Sequence, residues 1–255
     1  MNGTEFDVFS NGFVKITKEN VQKAKEIIES DPFYKKAYKS VEDSSTKSFC
    51  DYKEEYKKDK KAPISLKLLE QINTENSTRV KNDYLKEVVL KNLNYLGSNL
   101  EQKLKNQDYS IIPDIYTIKD ESKTKETQKT LLSYASKFCH FYCLHMFDDT
   151  TIADSFPIID SILRKVIPIY DYLYNDKEYR CYDEYKKNSS LYKYRNAEYK
   201  DIKPSVLEYY KIYVNALSCI SENCQKQVTV TEIEQLLWWF YRGIADDIDR
   251  IKDEK

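Results

Sequence analysis

The chain has 255 residues, 41 of them Lys or Arg and 42 Asp or Glu, for a net charge of −1. Four glycines and six prolines stand beside 23 tyrosines. This composition suits helices and argues against a Gly-rich α/β nucleotide fold or a turn-rich β-sandwich. The balanced charge excludes a uniformly basic nucleic-acid binder, although a local basic face is enough for phosphate contact.

The length allows one large domain or two small ones, with a core in either case. Neither G-x-G-x-x-G nor G-K-[ST] occurs, so the two best-known phosphate loops are missing. No apolar run approaches the ~20 residues of a membrane helix, and no membrane partner is expected. Met1 to Asp7 lacks the basic and apolar regions of a secretory signal. The six cysteines (Cys50, Cys139, Cys143, Cys181, Cys219, Cys224) form no C-x-x-C pair. Reduced thiols and a cytoplasmic location are the expectation.

Residues 1–16 read as an irregular, extended arm. Thr17 is placed to cap a helix running to Ser30, with Val21, Ala24, Ile27 and Ile28 inward. Asp31-Pro32 opens a second helix. Phe49–Lys58 reads as a charged, mostly exposed helix, and the basic run to Lys61 as its solvated end. Pro63–Ile72 is amphipathic, Asn73–Thr78 loop-like, and Asp83–Leu96 a helix stopped by Gly97. Leu100–Leu104 adds a turn. The polar stretch Asn106–Lys125 is the best candidate for a linker, giving a division into residues 1–120 and 121–255.

Leu131 to Lys165 organises the rest, as two buried helices joined by the acidic loop 147–155. Leu132, Ala135, Cys139, Tyr142, Cys143 and Met146 form one apolar stripe, with Ser136 and His140 on another face beside Lys137. Asp160 heads the second helix, and Pro168 is expected to kink it. Tyr174–Lys200 is charged and tyrosine-rich. Ser205–Ile220 is an amphipathic helix, and the last helix opens on a capping box, Thr231 with Glu234. The fold class is all-α, a helical bundle that forms either one domain or two helical subdomains with a cleft between them.

Asp160 follows an apolar run and opens a buried helix. It is either an ordinary N-cap or a desolvated acid placed beside a developing cation. Lys137 next to Ala135 and Ser136 is either a snorkelling side chain or an amine nucleophile. His140 and His145 lie five apart, on different faces, without H-E-x-x-H geometry; a zinc site with Cys139 or Cys143 is the minor alternative, and no metal or other cofactor is expected. Trp238 and Trp239, with Phe240 and Tyr241, either fill a core or stack on bases.

These segments in order resemble helix-hairpin-helix DNA glycosylases, and more closely the bacterial 8-oxoguanine DNA glycosylase-like branch. Residues Leu132 to Cys139 stand where the family has the turn L-P-G-[VI]-G-x-K-x-A, and Pro157 to Arg164 where it has P-V-D-x-x-V. Leu236-Leu237-Trp238-Trp239-Phe240-Tyr241-Arg242-Gly243 is similar to a C-terminal L-W-x-Y-G segment. The resemblance implies a DNA partner and excision of a flipped, damaged or modified base. Asp160 becomes the catalytic carboxylate and Lys125 or Lys129 the Schiff-base lysine. Backbone N–H groups at Ser133, Ala135 and Ser136, with Lys137, Arg164 and Lys165, become the phosphate contacts. His140, Trp238 and Trp239 become base-pocket candidates. Ser133 and Ala135 replace the hairpin glycines, and Pro157 lies three residues before Asp160 rather than two. The alternative is a non-catalytic helical protein, a scaffold or a nucleotide-sensing or defence-related module, with an aromatic surface for a protein partner.

Overall fold

The computed structural model describes residues 6–10, 12–30, 48–59, 62–75, 78, 80–116, 131–174 and 199–242, with residues 75 and 199–205 described in backbone only. In chain order the helices are α1 (Lys18–Ser30), α2 (48–58), α3 (Leu66–Glu75), α4 (Asn82–Tyr84, continued by a π-helical turn Leu85–Val89 and by Leu90–Leu96), α5 (Ser98–Lys105), α6 (Ile111–Tyr116), α7 (Leu132–Met146), α8 (Thr150–Asp154), α9 (Leu163–Tyr174), α10 (Tyr199–Asn223) and α11 (Val230–Tyr241). Among the described residues the only β pairing is an isolated antiparallel bridge, Val8 to Val14. The fold is all-α. No helix among the described residues is long and apolar enough to cross a membrane.

The chain forms two compact units, one of Met1–Tyr38, Ile159–Tyr185 and Ile212–Lys255, the other of Lys39–Ile158 and Lys186–Lys211. The boundary expected at residue 120 lies inside the second unit. Both units are assembled from segments distant in sequence, which composition along the chain does not reveal.

In the second unit α7 packs against α3, α6 and α8. Its residues Tyr134 to His140 are all buried, so it is enclosed on nearly every side rather than along one stripe; a helix surrounded by core has this pattern. Tyrosine hydroxyls settle much of the backbone polarity here. Tyr134 donates to the Leu69 carbonyl at 3.1 Å, Tyr210 to Pro157 at 2.9 Å, Tyr84 to Tyr116 at 2.6 Å and Tyr52 to Ala62 at 3.2 Å. The rings of Tyr134 and Tyr210 fill apolar space while their tips satisfy buried carbonyls.

Several boundaries differ from expectation. Helix α3 starts after Ser65, whose hydroxyl accepts from the Leu68 N–H at 3.3 Å, so Pro63 precedes the helix. The Asn73 side chain donates to the Val80 carbonyl and accepts from the Val80 N–H, both at 2.8 Å, which closes the turn after α3. Helix α2, read as mostly exposed, buries Phe49 and Tyr52. The first half of the expected linker is core: Ile111, Ile112, Pro113, Ile115 and Tyr116 of α6 are buried. Its six residues, broken by Asp114, are too few for a period to show against the polar residues around them. The acidic loop contains α8, because Asp149 Oδ1 accepts from the N–H groups of Thr151 at 2.9 Å and Ile152 at 3.0 Å. Helix α10 is longer than Ser205–Ile220, and α9 continues through Pro168. The helix expected from Asp31 and the stretch 175–198 lie outside the described residues.

In the first unit α11 packs against α1 and α9. Thr17 caps α1 as expected, its hydroxyl accepting from the Asn20 N–H at 3.1 Å. The capping box of α11 is Thr229 with Glu232, two residues earlier than expected: Glu232 N–H donates to the Thr229 hydroxyl at 3.2 Å, and Thr229 N–H to the Glu232 carboxylate at 3.0 Å. Both frames have a Thr followed by Glu. The earlier one places Val228 just before the cap and Ile233 at the fourth helical position, and both are buried, the arrangement of a hydrophobic staple. Lys25 of α1 pairs with the same Glu232 at 2.7 Å. Thr229→Ala is expected to lower unfolding free energy by about 1 kcal/mol, and Thr231→Ala by much less, as read from urea denaturation midpoints.

Candidate functional site

Asp160 is positioned by the start of α9. Its Oδ1 accepts from the N–H groups of Ile162 and Leu163, both at 2.8 Å, while its carbonyl accepts from the Arg164 N–H at 3.3 Å. The side chain is therefore the N-cap of α9, half-buried, with one carboxylate oxygen fixed by two backbone donors. Among the described residues no further hydrogen bond or ion pair reaches Asp160, so Oδ2 is left without one. A carboxylate held this way is oriented without being neutralised, which suits it to stand beside a developing positive charge. Arg164 and Lys165 follow in the first turn, both half-buried.

The residues of the other motif lie in α7. Residues 132–146 are one unbroken helix, so the tight turn that the resemblance implies at Ser133 to Ala135 is not formed. Without glycine the backbone gains nothing from leaving the helix there, and Leu, Ala, Ser and Lys continue it. The Ala135 N–H is bonded to the Leu131 carbonyl at 2.8 Å rather than turned outward to a phosphate. Ser136 and Lys137 are buried, at 0% and 8% exposure; the Ser136 hydroxyl donates to the Ser133 carbonyl at 3.2 Å.

His140 is buried, and its Nδ1 lies 3.1 Å from the Ala153 carbonyl. That bond fastens α8 to α7. Burial lowers the His140 pKa against the raising effect of the carbonyl and of Asp154, so the neutral ring is favoured. A neutral imidazole donating to a carbonyl has a structural role here, and α8 supplies its partner. Among the described residues no group of three or more His, Cys, Asp or Glu side chains is arranged to hold a metal ion.

Trp238 and Trp239 are half-buried at the end of α11. The Arg242 guanidinium lies 4.7 Å from the Trp238 ring centroid, and Phe6 stacks on Trp239 at 5.5 Å with 26° between planes. Sequence reading had no means to find the Phe6 contact, which joins residues at the two ends of the chain. Lys125 and Lys129 lie outside the described residues. Asp160, Arg164, Lys165, Trp238 and Trp239 belong to the first unit, and Ser133, Ala135, Ser136, Lys137 and His140 to the second.

Fold and site thus define an all-α protein with a pinned carboxylate at a helix N-terminus and a half-open aromatic face. Compared with protein-family models, curated proteins and solved structures, the chain matches none.

Proposed function

We propose that this chain is a glycosylase-like, DNA-binding helical protein that excises a damaged or modified base, with Asp160 as its carboxylate. The observation that carries the reading is the geometry of Asp160: Oδ1 held by two N–H groups at 2.8 Å and Oδ2 with no partner among the described residues. In base excision the bond from C1′ to the base nitrogen breaks, and its electron pair leaves with the base. The cationic sugar that develops is stabilised by the carboxylate until water, or a lysine amine, adds to C1′. The resemblance offers Lys125 or Lys129 for the amine.

Incubation with duplexes carrying 8-oxoguanine, uracil or a bulky modified cytosine tests this. Abasic product is expected from the unaltered chain, and Asp160→Asn is expected to lower its rate about 100-fold or more. Asn caps a helix as well as Asp, so the variant keeps its fold and isolates the charge. Borohydride trapping with abasic DNA reports on the lysine. Absence of abasic product from the unaltered chain removes the enzymatic reading.

The unbroken α7 favours a second reading, a non-catalytic helical module that binds a protein partner, because the hairpin that would hold a phosphate is absent. Salt separates the two. Phosphate contact makes DNA affinity fall steeply between 50 and 200 mM salt, on the order of tenfold or more, and a protein-binding module shows no such DNA affinity.

A further inference from the structure

We draw no further inference here: the strongest candidate, the half-exposed aromatic patch of Trp238, Trp239 and Phe240 at the C-terminal end of α11, where Phe6 stacks on Trp239, carries nothing because the structure does not show what covers the rest of it.

Discussion

Asn20→Ala is expected to cost about 2–3 kcal/mol of unfolding free energy, a large loss for a surface-loop anchor. Asn20 is fully buried, and its amide is bonded to the Asp7 N–H, the Asp7 carbonyl and the Lys15 carbonyl. Alanine removes all three bonds and leaves the Asp7 N–H and the Asp7 and Lys15 carbonyls without this partner. Asn20→Asp is the sharper test. It keeps the acceptor for the Asp7 N–H but turns a carboxylate oxygen toward two carbonyl oxygens that now lie 2.8 Å from the amide nitrogen. Repulsion should make it at least as destabilising as alanine at pH 7, and acidification, by protonating the new carboxyl, should recover part of the loss. Urea denaturation of both variants at pH 7 and pH 4.5 reads this. A variant as stable as the unaltered chain would show that the loop contributes nothing to the fold of its unit.

Acidification of the unaltered chain should destabilise it between pH 6.5 and pH 4. His145 lies against Phe49 at 5.2 Å and Phe141 at 6.1 Å, both stacked. Burial lowers its pKa from 6.5 to about 4, helped by His140 and opposed by Asp148. Burial lowers the pKa of His140 as well. The folded pKa lies below the unfolded one, so the unfolded chain binds more protons in this window. Stability is complete above pH 6.5 and falls as pH drops toward the folded pKa. The His145 ring is only half-buried, so solvent screening cuts its share to about 1–2 kcal/mol. The carboxylates of Glu232 and Asp108, whose pKa values are lowered by ion pairing and hydrogen bonds against the effect of burial, add a loss in the same direction only at lower pH. His145→Phe keeps an aromatic ring between these neighbours and should flatten the decline above pH 4. An unchanged slope in that variant would assign the whole effect to His140.

The ends of α1 and α4 were legible in sequence because their signals are local. Thr17 caps at a fixed spacing, and Gly97 combines φ 50° with ψ −128°, a pairing that favours glycine. The capping box of α11 was legible in kind but not in frame, since two Thr–Glu pairs fit and burial of Val228 and Ile233 chose between them. The tyrosines carried no readable meaning in a list of residues. Tyr52, Tyr84, Tyr134, Tyr170 and Tyr210 end in hydroxyls that meet carbonyls 10 to 156 residues away, and such partners have no spacing rule.

By itself, the sequence determined the all-α class, the helix-capping position of Asp160 and the apolar face of α7, because helical period and capping chemistry act over a few neighbouring residues. Tertiary structure alone decided that α6 is core, that Ser136, Lys137 and His140 are enclosed, and that Phe6 covers Trp239. Those outcomes depend on which distant segments bury one another, and burial is a property of the assembled units rather than of any stretch of chain.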